Sequence, residues 1–334
     1  MPDPTPPAPR RPSRRLRSTL KLAALLVVVV FVVVFVAREW DAVRDGLRRL
    51  DAATLAGSLA AVLVGLAAAM MSWRAVLVGL GSRLPVPAAA RVFFLGQLGK
   101  YVPGSVWPVV AQAELSQEYG VPRARAGIAS LAQMLVGLVV GVVVAGAALA
   151  TSSPDAVAQY WWLLPVAAAG AVVLVPPVFA RLCALAARLA RRPAPEPVDG
   201  RTILAAAAWC LVMWVAFGLH LYLLVRATSG TGSTTTLLLA STGGYALAWV
   251  VGFVIVFLPA GAGAREAALV LAMAPVLPGS DALALALVSR FLMLAGDGLT
   301  AGIAVLAARR HGSGRQVAVA PAATLAEPPP SKDS

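Results

Sequence analysis

An apolar stretch that should read as a membrane helix is interrupted in this chain by charge, glycine and proline: Arg91-Val-Phe-Phe-Leu-Gly-Gln-Leu-Gly-Lys-Tyr-Val-Pro-Gly-Ser-Val-Trp-Pro-Val-Val-Ala-Gln-Ala-Glu114. A second interruption, Leu258-Pro-Ala-Gly-Ala-Gly-Ala-Arg-Glu266, comes late in the chain. Hydrocarbon offers no partner to a backbone N–H or C=O, so irregular backbone survives at membrane depth only where protein or a wet cavity satisfies it. Two such interruptions in corresponding places point to a polar site between two halves. The chain is expected to handle something inside the bilayer.

Composition agrees. The 334 residues are 59% hydrophobic and 13% charged, with a mean hydropathy of +0.81, which is too apolar for a soluble domain of this size. The formal charge of +13 would suit nucleic acid, but the arginines gather at helix ends and in the tails, so no nucleic-acid partner is expected. Cys183 and Cys210 lie far apart in apolar surroundings and read as structural. With His220 and His311 the only histidines, no His/Cys/carboxylate cluster has metal-ligand spacing, and neither metal nor cofactor is expected.

Apolar segments of helical length run at roughly 20–37, 54–80, 125–150, 160–180, 202–226, 235–258, 264–278 and 282–308. The expected fold is therefore an all-α polytopic membrane protein of about eight transmembrane helices. A basic arm (1–19) precedes it and a Pro- and Ala-rich tail (311–334) follows. Residues 35–39 form no small-x-small cleavage site, so the first apolar run reads as an uncleaved span. Arg and Lys are absent from 151–159 and 227–236 but crowd 181–201 and follow residue 308, which puts both termini in the cytoplasm of a cell-membrane protein. The connection 38–53 is mixed, with Arg38, Arg44, Arg48 and Arg49 among four carboxylates, and reads as interfacial. On this topology 91–118 is a re-entrant hairpin bent at Pro103-Gly104, and 259–278 is a broken helix. Ala129-Ser-Leu-Ala-Gln-Met-Leu135 echoes Val288-Ser-Arg-Phe-Leu-Met-Leu294 on helices of opposite direction, as an inverted repeat would.

Several motifs, in order, carry a resemblance: Gly96-Gln-Leu-Gly-Lys-Tyr-Val-Pro-Gly-Ser-Val-Trp107, Gly120-Val-Pro-Arg123, the Pro259-x-Gly-x-Gly-x-Arg-Glu266 turn and Ser289-Arg290. Together they resemble the membrane domain of lysylphosphatidylglycerol synthases, one of a wider group of flippase-like membrane proteins, over about residues 20–310. The resemblance implies a flippase-like domain that passes a lipid head group across the bilayer through a cavity lined by re-entrant helices. About two dozen residues follow Arg310, too few for the soluble aminoacyl-transferase domain of those synthases. The lysine-transfer reaction is therefore not expected, and the lipid stays open.

A charge at the bilayer centre costs on the order of 2.5–3.5 kcal/mol on insertion scales, so charges within apolar segments mark a cavity or a partner. Here they are Arg74, Lys100, Glu114, Arg265, Glu266, Arg290 and Asp297. Lys100, Arg265 and Arg290 suit a phosphate, and the helix starts at the two breaks add free N–H groups. Two readings are open. The cations face a substrate cavity, or Arg265–Glu266 and Arg290–Asp297 are ion pairs that fasten the breaks, with Asp297 alternatively meeting another helix. Arg74 is expected to snorkel to the surface. Tyr101 and Trp107 flank the hairpin bend and suit a lipid portal, while Gln97, Gln112 and Gln133 would bond a head group or bridge helices. Gly137-x-x-x-Gly141 and Gly298-x-x-x-Gly302 read as packing motifs. The candidate substrate-binding set is thus Lys100, Tyr101, Trp107, Gln112, Glu114, Arg265, Glu266, Arg290 and Asp297.

The expected function is a flippase or scramblase for an anionic lipid, a phospholipid or a polyprenyl-phosphate-linked sugar, with Glu114, Glu266 or Asp297 able to carry a coupling proton. The alternatives are a membrane transferase acting on a lipid-linked substrate, for which long covering loops are lacking, and a non-transporting partner of such an enzyme. A separate glycosyltransferase or aminoacyl transferase would supply or consume the lipid.

Overall fold

A computed structural model of the chain describes residues 44–102, 106–152, 161–189, 198–228, 230–254 and 263–310, together with Val34 and Trp40. Val34 apart, the expected arm and first span (1–37) lie outside the described residues, as do the Pro103-Gly104 bend, most of the second break (255–262) and the tail.

Among the described residues all regular structure is helical. The helices are α1 (Ala52–Gly79), α2 (Val86–Gln97), α3 (Trp107–Ser116), α4 (Arg123–Ala150), α5 (Leu163–Val173), α6 (Pro176–Leu189), α7 (Gly200–Arg226), α8 (Thr234–Val254), α9 (Ala264–Met273) and α10 (Gly279–Arg310). Asp51 and Asp199 start α1 and α7 by accepting from the N–H of Thr54 (2.6 Å) and Thr202 (2.9 Å), as helix N-caps do. A proline lies in the first turn of α2 and of α3, where its missing N–H costs nothing.

Among the described residues five helices, α1, α4, α7, α8 and α10, are long and apolar enough to cross a membrane. The count expected from hydropathy changes at two places. The segment 160–180 is not one straight span, because α5 and α6 meet at a 74° bend where Pro176-Pro177 removes two N–H donors. Counted as one broken span, this pair makes six. The segment 264–278 contains only the ten-residue α9, about 15 Å long and so half a bilayer.

Contacts set the directions. Arg125 Nη1 donates to Ser82 Oγ (2.9 Å), and Gly79 lies against Thr202, so the end of α1 shares one end of the bundle with the starts of α4 and α7. At the opposite end, Arg49 and Asp281 pair at 3.2 Å, joining the approach to α1 with the start of α10. α4 and α10 therefore run in opposite directions. These ends are called below the Asp199 end and the Asp51 end.

Both short-helix units fit between these ends. α2 starts at the Asp199 end, α3 returns to it, and the two pack on one another and on α4 and α10. At about 18 Å and 15 Å neither crosses a bilayer. α9 closes at the Asp51 end, where Thr231 N donates to Val276 O (3.0 Å) just beyond it, and packs between α8 and α10.

Large apolar side chains lie on the surface, and an apolar core encloses a set of polar ones. Leu204, Leu211, Val215, Val64, Leu271 and Ile303 are exposed, whereas Ser58, Ser72, Gln112, Ser130, His220, Glu266, Arg290 and Asp297 are buried. This arrangement suits hydrocarbon as solvent, where polar side chains hold helices together from within.

Candidate functional site

Everything meets on α10. Arg290 and Asp297 lie seven residues apart, two turns along one face, and flank the midpoint of the apolar stretch Gly279–Ala307. Arg290 Nη1 pairs with Glu266 Oε1 of α9. Asp297 Oδ2 pairs with Lys100 Nζ at 2.6 Å and accepts from Tyr101 Oη at 2.6 Å, both from the turn that ends α2. α10 thus holds one break at Arg290 and the other at Asp297, two turns apart near the middle of its apolar stretch.

The local folding of each break explains why these groups arrive there. After Gln97 the helix tightens into a 3₁₀ turn, Leu98–Tyr101, which throws Lys100 and Tyr101 toward α10. Gly99 permits it, since a Cβ there would stand 2.8 Å from the carbonyl carbon of Trp107. At the second break Gly263 has φ +83°, a conformation natural only to glycine. Glu266, in the first turn of α9, reaches back so that its Oε2 accepts from Gly263 N–H at 2.6 Å. Glu266 therefore holds both the start of α9 and Arg290.

Arg265 is placed differently. Its guanidinium lies over the Tyr245 ring, 4.7 Å from the centroid, and no carboxylate among the described residues is at ion-pair distance. Tyr101 is within electrostatic reach of Arg265 and Arg290 as well as Asp297, so the two breaks share one field. Among the described residues three cations (Lys100, Arg265, Arg290) face two carboxylates (Glu266, Asp297), which leaves one positive charge in surplus, carried by Arg265. Tyr245 is 1% exposed, and among the described residues its hydroxyl has no partner beyond the neighbouring Arg265 guanidinium. A small cavity, about one water in size, is lined by Arg265, Glu266, Ser289 and Arg290.

Beside this cluster a second polar network fastens the first break. Trp73 Nε1 of α1 donates to Ser130 Oγ of α4 (3.1 Å), and Ser130 Oγ bonds Gln112 Oε1 of α3. Ser289, the counterpart of Ser130 in the internal echo, bonds His220 Nε2 instead, and the second break is fastened by Arg290, which stands where the first copy has Leu131.

The comparison with known families decides the relationship at this point. The family described as Lysylphosphatidylglycerol synthase TM region matches residues 21–299. The chain belongs to this family. No curated protein matches it.

Within the lysylphosphatidylglycerol synthase TM region, then, the structure brings Lys100, Tyr101, Arg265, Glu266, Arg290 and Asp297 together and leaves three expected residues apart. Gln112 is buried in the Trp73–Ser130 network. Glu114 sits at the Asp199 end, half exposed and paired with Arg123 at 2.7 Å. Trp107 is 43% exposed, facing outward. The expected Arg265–Glu266 pair is replaced by Arg290–Glu266, and Asp297 takes the alternative of a partner on another helix, Lys100, because seven residues set Arg290 and Asp297 about 10 Å apart along one face of α10. Arg74 donates from Nε to Leu84 O (2.8 Å), serving the loop before α2. Gly141 packs tightly on Trp214, but Gly298 and Gly302 have no described atom where a Cβ would reach, so the second glycine motif makes no packing contact there.

Sequence reasoning missed Tyr245 and His220. His220 is fully buried on α7, with Nδ1 2.6 Å from Ser58 Oγ and Nε2 2.8 Å from Ser289 Oγ. Its signal was available, since an ionisable residue inside an apolar helix marks a functional place by default. Tyr245, in a run of Gly, Ala and Leu, carried none.

Proposed function

We propose that this chain is a flippase- or scramblase-like transporter that moves an anionic lipid across the cytoplasmic membrane, with both termini in the cytoplasm and the Asp199 end inside. Membership of a family named for a lipid synthase's membrane region supports a lipid substrate. The observation that carries the reading is the surplus charge of Arg265 in a cluster near mid-membrane, built from two half-length units. A lone cation there is costly unless an anion accompanies it, and a lipid phosphate supplies one while its tails remain in hydrocarbon. Arg265 would bind the phosphate bidentately, with the Tyr245 hydroxyl as a further donor. Lys100, Tyr101, Glu266, Arg290 and Asp297 would set the field and close the path, and Trp107, Gln112 and Glu114 would act at the hairpin rather than on the head group. An anionic phospholipid and a polyprenyl phosphate both have the required chemistry, and a separate glycosyltransferase or aminoacyl transferase is the natural supplier or consumer.

Native mass spectrometry on protein purified from its own membrane tests this. Wild type is expected to retain one anionic lipid class that Arg265→Ala loses while its melting temperature stays close to wild type. Equal retention of mixed lipids by both proteins would refute the site.

A further inference from the structure

His220 touches the cluster without belonging to it. Both ring nitrogens meet hydroxyls, Ser58 Oγ on α1 and Ser289 Oγ on α10, and Ser289 also lines the small cavity shared with Arg265, Glu266 and Arg290. Ser58 lies six residues into α1 and Ser289 ten into α10, about 9 and 15 Å from the Asp51 end. Ser58, the imidazole and Ser289 therefore form a line of exchangeable protons that begins at a buried hydroxyl about 9 Å below that end and leads to the cavity where Glu266 pairs with Arg290. An asparagine could bridge two hydroxyls equally well. Imidazole alone can take a proton on one nitrogen while releasing one from the other.

We infer that Ser58, His220 and Ser289 conduct protons to Glu266 and make lipid movement proton-coupled. Ser58 Oγ–H passes its proton to Nδ1 and is reprotonated from the Asp51 end. The Nε2 proton moves to Ser289 Oγ, whose own proton crosses the cavity to the Glu266 carboxylate. Every group but Glu266 ends with the proton count it began with. Neutral Glu266 releases Arg290 and loosens its hold on Gly263 N–H, so the cluster's surplus rises from one positive charge to two as an anionic head group arrives. Proton and anion then travel as a pair.

The groups facing His220 are consistent with this route. They are Ser58 from α1, the Tyr245 ring of α8 at 5.9 Å, Ser289 and its neighbour Arg290 from α10, and Arg265 of α9 within electrostatic reach. α4 keeps its charges, Arg123 and Arg125, in its first turn at the Asp199 end. On α7 itself Tyr222 and Arg226 follow, bonded to each other at 3.3 Å. No carboxylate other than Glu266 lies at the inner end of the line among the described residues.

This inference rests on the transport reading, and one assay separates their failures. The full chain is reconstituted in phosphatidylcholine vesicles carrying tail-labelled NBD-phosphatidylglycerol or an NBD-labelled polyprenyl phosphate. Initial movement is followed by dithionite quenching with and without a pH gradient of one unit, a tenfold difference in proton activity. Wild type should move one probe about threefold or more faster with the acid side at the Asp51 end (1.4 kcal/mol being tenfold), and in His220→Asn the ratio should fall to about one. Wild-type movement indifferent to the gradient, or a His220→Asn ratio equal to wild type's, would overturn proton coupling and leave the transport reading intact. Movement of neither probe by wild type would end both. If His220→Asn does not fold, Ser289→Ala cuts the same line one step further on and is judged by the same ratio.

Discussion

Arg290 and Arg265 are neighbours in space with opposite roles, and substitution should tell them apart. Both partners of the Arg290–Glu266 pair are about nine-tenths buried, and removing one partner of such a pair leaves an uncompensated charge. Arg290→Met is expected to cost about 3–5 kcal/mol of stability. The double variant with Glu266→Leu should recover part of that loss, as thermal unfolding in detergent would report, because it removes the uncompensated charge while giving up the hydrogen bond from Gly263 N–H. Arg265→Gln should change the melting temperature little and still remove lipid retention. Gly263→Ala forces a side chain into left-handed backbone that costs roughly 1–2 kcal/mol and should be visible as an earlier melt. The sequence showed that these charges sit in apolar segments and must be satisfied. It could not show which carboxylate serves which cation, since one helical turn of offset between packed helices decides it.

At the scale of elements, the first break depends on a close approach that glycine alone allows. Gly99→Ala would bring a Cβ to 2.8 Å from the Trp107 carbonyl carbon and 2.9 Å from Pro108 N, atoms of backbone that cannot rotate aside. The α2–α3 hairpin must then open, at about 1–3 kcal/mol, and transport should fall at least as far as for Lys100→Ala, measured in the vesicle assay. The helix caps respond to acid instead. Hydrogen bonds from Thr54, chiefly its N–H, and from Thr202, its hydroxyl first and then its N–H, hold the exposed Asp51 and Asp199 carboxyls below the usual carboxylate range. Their contribution is therefore complete above the unfolded-state value and disappears only as pH falls through the lowered one. Both breaks were legible as elements because Gly, Pro and charge interrupt an apolar run. The 74° bend after α5 was legible only as Pro176-Pro177 and was passed over, since two prolines at a helix start and two at a break look alike until the next helix has somewhere to pack.

For the whole molecule, membrane-length apolar helices with exposed Leu, Val and Ile and buried polar side chains imply a bundle suspended in hydrocarbon, with the Asp199 and Asp51 ends at its two faces. Arg83 and Ser233 are exposed at opposite ends, and both native cysteines are buried. In intact cells an impermeant maleimide should therefore label Ser233→Cys but not Arg83→Cys until the membrane is permeabilised. The reverse pattern would invert the proposed orientation.

The membrane setting, the helical class, the two breaks and the family motifs were determined by sequence alone, because hydropathy and helix-breaking chemistry are local properties that survive in a one-dimensional pattern. Only the tertiary structure decided that the two breaks meet on one face of α10, that Arg265 carries the surplus charge, and that His220 reaches the same cavity through Ser289. Those outcomes depend on the rotation and axial offset of helices distant in sequence. Such offsets are set by the summed packing of many side chains, and no single segment encodes them.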